Sequence, residues 1–304
     1  MVSPAYQKVF DPPLRPTVAV AAPAAPMADR GADFGYVYDE ELVLAVNVAL
    51  ATGRPLLLRG RPGTGKSSLA RDVALHLGWR FYPRTISSRT QARDLLWTVD
   101  DVARLSDATG GGSARERSAY LRPGVLWWAF DPASALRFVA ADPNENPAGV
   151  GGAVVLLDEV DKADPDVPND LLEPLGLYRF RAEDGAVVAA GQAPLVVLTT
   201  NEERELPRAF LRRCVVHVLP QPTRQRLRDI AEVRLGAAGD GLYEEVVSAL
   251  AGAGGDDGEH VEVSIAEFLD AVGAARELGI RPGHPHWPAV LAATTTKPPS
   301  VDLR

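Results

Sequence analysis

Residues 56–70 read Leu56-Leu57-Leu58-Arg59-Gly60-Arg61-Pro62-Gly63-Thr64-Gly65-Lys66-Ser67-Ser68-Leu69-Ala70. An apolar run breaks into a glycine-rich turn, and Lys66 and Ser67 open the next apolar-periodic segment. Gly60, Gly65, Lys66 and Ser67 fit the spacing G-x-x-x-x-G-K-[ST]. Each residue type has a physical reason to stand there. Glycine lets backbone N–H groups turn inward around phosphate oxygens with no Cβ in the way. The helix that starts near Lys66 presents the positive end of its dipole to an anion. Lys66, read as a loop lysine facing solvent, would reach β- and γ-phosphates, and the Ser67 hydroxyl would ligate Mg²⁺. The stretch predicts strand, phosphate loop and helix, and with them an α/β fold that binds a nucleotide.

The rest of the chain sets bounds on that reading. At 304 residues it exceeds the size that one core usually serves, so two domains are expected. Hydrophobic residues at 46% and charged residues at 24% describe an ordinary globular protein. The net charge of −8 argues against a nucleic-acid partner gripped through overall charge. The single cysteine, Cys214, excludes an internal disulfide and fits a reducing cytoplasm. Between Arg213 and Val215 in an apolar run, it reads as a buried structural thiol. No apolar run reaches the ~20 residues needed to cross a membrane. The first residues lack a charged stretch followed by an apolar one, so no secretion signal is expected.

Residues 1–33 are rich in Ala and Pro and read as a flexible arm. Asp39–Ala51 carries apolar residues at helical spacing behind three acids. After the loop, Ser67–Leu77 reads as a helix, Arg80–Tyr82 as a strand and Gln91–Leu105 as a further helix. Gly110–Ser113 and Asn144–Gly152 read as loops. Val125–Phe130, with Trp127 and Trp128, is expected to pack on the sheet rather than to stack bases. Ala153–Asp158, Leu195–Thr200 and Val215–Leu219 are continuous apolar runs of the kind buried on both faces of a parallel sheet. Leu206–Leu211 reads as a short helix between two of them. Past Pro220 the pattern turns helical, over Arg224–Leu235, Leu242–Ala251, Ile265–Leu278 and Trp287–Ala292, with Gly252–Gly258 as a loop. A boundary near Gln221 separates domains 34–220 and 221–304.

Two of the apolar runs end in chemistry. Ala153–Asp158 ends in Asp158 and is followed by Glu159, beyond the carboxyl end of a strand where ligands of open α/β sheets sit. Asp158 is placed to hold Mg²⁺ through water, and Glu159 to polarise an attacking water. Asn201, at the end of Leu195–Thr200, can hydrogen-bond that water or the γ-phosphate.

The order of these motifs resembles the AAA+ ATPases, and the details look most like the MoxR-like branch. The resemblance spans roughly Phe34 to Leu291. It rests on Gly60–Ser67 as Walker A, Val154–Glu159 as Walker B, Thr200-Asn201 as sensor 1 and Leu211-Arg212-Arg213-Cys214 at the arginine-finger position. Gly53–Leu58, Leu121–Gly124, Asp170–Leu175 and Ser264–Asp270 also look like that branch. The resemblance implies a parallel sheet flanked by helices, a P-loop NTPase fold, followed by a small all-α lid. It implies that Gly60, Pro62, Gly63, Thr64, Gly65, Lys66, Ser67 and Ser68 hold ATP, that Tyr36 and Val37 border the adenine, and that Ser67 and Asp158 serve Mg²⁺. Glu159 and Asn201 would be catalytic in cis, and Arg213, or Arg212, in trans. One departure is plain. The family places an Arg or Lys just before or at the start of the third lid helix, and Val261-Glu262-Val263-Ser264 offers none. Arg276, Arg281 and Lys297 are basic residues elsewhere in the same region.

By this resemblance the chain is a cytoplasmic ATP hydrolase that works as a ring, commonly of six subunits, and remodels a protein client. Relatives often act beside a partner with a metal-binding von Willebrand-type domain. Two other readings share the core. One is a nucleic-acid-stimulated motor, for which Arg84, Arg89 and Arg93 form a local basic group. The other is an assembly switch gated by nucleotide that hydrolyses slowly.

Overall fold

The computed structural model describes residues 6–16, 35–109, 116–146, 148–236, 241–251, 261 and 263–295. Nine strands occur among them: β1 (Leu56–Arg59), β2 (Arg80–Thr85), β3 (Trp97–Val99), β4 (Leu121–Pro123), β5 (Ala153–Asp158), β6 (Arg179–Arg181), β7 (Val187–Ala189), β8 (Leu195–Thr200) and β9 (Val215–Val218). Five of them form a parallel sheet in the order β2-β5-β8-β1-β9. β8 is buried at every position and β5 at all but its last, as apolar runs covered on both faces should be. The register pairs Arg59 with Thr200, and Thr85 with Asp158. The carboxyl ends of β1, β5 and β8 therefore share one edge of the sheet.

Contacts divide the chain into two compact units. The first comprises the described residues within 1–11, 41–59 and 70–217, and the second those within 12–40, 60–69 and 218–304. In the first, one face of the sheet carries the helix Val125–Phe130. Trp127 and Trp128 on it are 1% and 3% exposed, so they are core and not a stacking platform. The Trp127 indole stands edge-on to Phe138 and Phe180 and donates to Ser134 Oγ at 2.8 Å, which satisfies its buried N–H. In the second unit the helices Arg224–Leu235, Leu242–Ala251, Ile265–Leu278 and Trp287–Thr294 gather Leu227, Tyr243, Phe268, Val272, Trp287 and Leu291 into a core of their own. The predicted helical texture of this region holds.

β9 departs from expectation: at the edge of the sheet it leaves Val216 and Val218 43% and 56% exposed, so it is not buried on both faces as β5 and β8 are. Two further expectations need correction. Gln91–Leu105 is not one helix: Ala92–Leu96 is helical, Trp97–Val99 is strand β3 paired antiparallel with β4, and a new helix runs over Asp101–Thr109. The aromatic and β-branched Trp97-Thr98-Val99 took a strand partner, which overrode the helical spacing. Val102 and Leu105, read as the apolar face, are 82% and 65% exposed. The second correction concerns the arm. Residues 1–5 and 17–33 lie outside the described residues, but residues 6–16 do not form a loose tail. Phe10 is 1% exposed, and Asn47 Oδ1 accepts the N–H groups of Val9 and Phe10 at 2.8 and 2.9 Å. The Asn47 amide donates back to the Phe10 carbonyl at 2.7 Å. An apolar side chain and a buried amide with matching valence hold a segment whose composition alone predicts freedom. The expected loops at Gly110–Ser113 and Gly252–Gly258 lie outside the described residues.

Candidate nucleotide site

β1 runs directly into the glycine-rich loop, and the helix Lys66–Leu77 follows it. Gly60, Gly63 and Gly65 have φ values of 144°, 76° and 89°, a backbone that side chains resist. Thr64 Oγ1 donates to the Arg61 carbonyl at 3.0 Å and tightens the turn. Lys66 is not solvent-facing: it is 6% exposed, and its Nζ donates to the carbonyls of Gly60 and Arg61 at 2.7 and 2.8 Å. The loop thus holds an ammonium at its own centre. With the positive end of a 12-residue helix, this makes a cradle for an anion, and the residues fit nucleotide phosphates.

Residues around the loop are set by packing. A Cβ on Gly65 would meet the Tyr36 ring at 3.3 Å, so the tyrosine lies against the loop. Val37, 7% exposed, joins Ile230, Val233, Ile265 and Leu269 in a small apolar cluster. Its carbonyl accepts from Arg226 Nη2 at 3.0 Å. Tyr36 and Val37 are therefore brought to the loop and to the C-terminal helices respectively. The helix Ile265–Leu278 begins at a capping box formed by Ser264 and Glu267. A cavity of about 590 Å³ opens beside Pro62, Gly63, Thr64, Ser264 and Glu267; Tyr36, Val37 and Lys66 do not line it.

The start of that helix, Val261-Glu262-Val263-Ser264, carries no arginine or lysine, where the resemblance leads one to expect a basic residue. Arg276 instead donates to the Leu235 carbonyl at 2.5 Å and lies over the Tyr243 ring. Arg281 pairs with Glu245 at 3.6 Å. Lys297 lies outside the described residues.

The acids form a second group. Thr199, fully buried in β8, donates its hydroxyl to Asp158 Oδ1 at 2.5 Å and accepts the Glu159 N–H at 2.9 Å. Glu159 has a left-handed backbone, φ 61° and ψ 48°, so the chain turns sharply just as the second acid is presented. Its carboxylate accepts from Asn201 Nδ2 at 3.3 Å and from Lys162 Nζ at 2.8 Å. The hydrogen bond to Glu159 holds the Lys162 ammonium above its ordinary pKa. Asp161, 3% exposed, accepts the N–H groups of Asn201 and Glu203 at 3.2 and 3.0 Å, tying the end of β8 to the turn after β5. Its other oxygen has no partner among the described residues.

Glu159 and Asn201 thus meet directly, where the expectation joined them only through a water or the γ-phosphate, and Thr199, Asp161 and Lys162 were not anticipated. The two threonines that close the aliphatic run of β8 were the available signal, since a buried hydroxyl needs a partner. Ser67 and Asp158 offer the hard oxygen donors that Mg²⁺ prefers. Among the described residues no cluster of three or more His, Cys, Asp or Glu could hold a metal ion.

The arginine pair stands at the end of the short helix Arg208–Leu211. Both side chains are exposed, and neither has an ion-pair partner among the described residues. Glu202, one candidate partner, is taken by Arg59. Cys214 is 4% exposed, as expected of a structural thiol, and burial pushes it up to about 12.

Comparison with known proteins adds the following. The family model described as AAA domain (dynein-related subfamily) matches residues 55–214, just over half of the chain. No curated protein matches. Among solved structures, a Cytophaga hutchinsonii protein crystallised as a candidate ATPase aligns at 14% identity and TM-score 0.43, over 82% of this chain and 62% of its own. The Holliday junction branch migration motor RuvB of Thermotoga maritima aligns at 15% identity and TM-score 0.46, over 84% of this chain and 66% of its own. A point mutant of RuvB from the same organism gives 16% identity and TM-score 0.48, over 84% and 67%. This chain thus spans less than two thirds of the first structure and about two thirds of the others. Likenesses so distant bear on neither substrate nor partner. No helix among the described residues is long and apolar enough to cross a membrane.

Proposed function

Since the chain belongs to the AAA domain family, in its dynein-related subfamily, we propose that it is a Mg²⁺-dependent ATP hydrolase of the MoxR-like branch. It acts in the cytoplasm as a six-membered ring and spends hydrolysis on remodelling a protein client, with a von Willebrand-type domain protein as its partner. Residues 34–220 are the nucleotide-binding domain and 221–304 the helical lid. The observation that carries the reading is the bracing of Glu159 by Asn201, beside Asp158, in a chain whose glycine-rich loop holds Lys66 at its centre.

The roles follow from chemistry that leaves the protein mainly positioning and charge neutralisation to do. Lys66 and the N–H groups of the loop hold the phosphates, and Tyr36 and Val37 border the base. Ser67 and Asp158 hold Mg²⁺, which when bound neutralises phosphate charge. Glu159 takes up a proton from the attacking water, and Asn201 keeps that carboxylate aimed. Arg213, in preference to Arg212, reaches across a subunit boundary to the neighbour's γ-phosphate, where such a guanidinium is worth roughly 10³- to 10⁵-fold.

The test is ATP turnover against protein concentration, with and without DNA. The reading expects steep dependence on assembly and no stimulation by DNA. Full activity in a dilute monomer would overturn the trans role. Activation by DNA would favour a nucleic-acid motor. A ring that binds ATP but barely turns it over would favour an assembly switch. Capture of a client by a Glu159→Gln trap would support the remodelling role.

A further inference from the structure

One side chain gathers the carbonyls of the turn that carries Arg212 and Arg213. The Arg54 guanidinium donates to three consecutive carbonyls: Nη2 to Arg212 O at 2.6 Å and to Cys214 O at 2.7 Å, and Nε to Arg213 O at 3.2 Å. These carbonyls lie just past the last turn of Arg208–Leu211, where a helix leaves acceptors without partners. The carbonyls of Arg208, Phe210 and Leu211 are already used by N–H groups of the same turn. Arg54 thus takes the acceptors that the turn itself cannot satisfy. It does so beside a cavity of about 300 Å³ whose lining includes Leu172, Leu175, Phe210 and Cys214. A hydrogen bond from a guanidinium is about twice as strong as one between neutral groups; the bonds to Arg212 and Arg213 are exposed, and the one to Cys214 is partly buried.

We propose that Arg54 is a positioning residue for the trans-acting arginine. It fixes the backbone of Arg212–Cys214 from behind, so that the exposed side chains of Arg212 and Arg213 project from an immobile base. The proposal rests on the reading of Arg213 as the group that serves a neighbour's site. A planar guanidinium suits the task because its N–H groups fan out in fixed directions, whereas a lysine ammonium is a compact point charge on a flexible stem. Arg54 leaves a loop at the foot of β1, so the anchor is set by the sheet and not by the mobility of its own side chain. Small misplacement of a catalytic group is costly, on the order of 10²-fold for about 1 Å.

The experiment puts Arg54→Ala into one or the other member of a mixed ring. Arg213→Ala subunits keep a nucleotide site but lack the trans group. Lys66→Ala subunits keep Arg213 but do not bind ATP, so activity in the mixture comes from Lys66→Ala subunits serving Arg213→Ala sites. Adding Arg54→Ala to the Lys66→Ala member should lower the recovered turnover on the order of 10- to 100-fold, at saturating ATP and in rings of unchanged mass. Adding it to the Arg213→Ala member should leave the recovered turnover unchanged. Arg54→Lys in the first placement should give partial recovery and, if Arg54→Ala does not fold, carries the same comparison. Equal loss in both placements would assign Arg54 a general structural role and overturn the proposal, and so would full recovery in both. If Lys66→Ala fails to rescue Arg213→Ala with Arg54 intact, the trans reading falls first and takes this proposal with it.

Discussion

The carbonyl of Gly63 accepts the N–H of Ile265 at 3.0 Å, so the phosphate loop and the helix Ile265–Leu278 are joined main chain to main chain. The contact is close enough that a Cβ on Gly63 would lie 2.4 Å from the Ser264 Cβ. This is the place where the resemblance leads one to expect a basic side chain. The loop and the helical region are coupled here by backbone and by shape.

Gly63→Ala should therefore fail on two grounds. Its φ of 76° is disfavoured for alanine by roughly 1–2 kcal/mol, and Ser264 would have to move as well. The melting temperature should drop by about 2–8 °C, and ATP affinity should fall at least tenfold. Parental melting and affinity together would contradict the close approach.

Lys66→Ala should abolish ATP binding and also cost stability, since it strips donors from the Gly60 and Arg61 carbonyls. A cost on the order of 1–3 kcal/mol is expected, with a single cooperative melt retained. Nucleotide titration and calorimetry decide. Near-parental ATP affinity in the folded variant would remove the phosphate-loop assignment.

Glu159→Gln should keep ATP and Mg²⁺ binding while turnover falls by roughly 10²- to 10⁴-fold, because an amide fills the space but takes up no proton. Asp158→Asn should instead weaken Mg²⁺-dependent binding. Hydrolysis by Glu159→Gln at the parental rate would show that another group activates the water.

His76 makes stability depend on pH. The Asp72 carboxylate, 3.0 Å from Nδ1, raises the imidazole pKa above 6.5, and partial burial opposes it only in part. A raised native value means that the protonated form is favoured by folding. The contribution is complete below pH 6.5 and is lost as pH rises through the higher native value. The melting temperature should decline slightly across that window, and His76→Gln should remove the decline. A variant that keeps the parental slope would assign it to another group.

Cys214 should resist thiol reagents in the native protein at pH 7, where a thiol at about 12 is ionised to only about one part in 10⁵. Denaturant should release one reactive thiol with the cooperative transition. Fast labelling of the native protein would show that the wall over Cys214 opens.

Much of this fold could be read from single segments. β1, the glycine-rich loop and its helix follow from fifteen consecutive residues, because a strand's burial and a loop's glycines are local properties. The helices after Pro220 were legible for the same reason. What could not be read depended on partners distant in the chain. Trp97–Val99 matches a helical pattern until β4 is available to pair with it. Phe10 looks like part of a tail until Asn47 meets its backbone. At the site, Asp158, Glu159 and Asn201 stand at strand ends and announce themselves. Thr199 and Asp161 bind them from across the β5–β8 register, which nothing in either segment discloses.

The left-handed backbone at Glu159 has a consequence for the history and engineering of the chain. A glutamate there costs about 1–2 kcal/mol relative to relaxed geometry, and glycine would be spared most of it. Glu159→Gly would relieve that strain, but it would also discard the carboxylate that Asn201 and Lys162 bind and the residue proposed to activate water, and it would loosen the unfolded chain. Position 159 thus carries a strained backbone that goes with the placement of its carboxylate, and a change that relaxes the one discards the other.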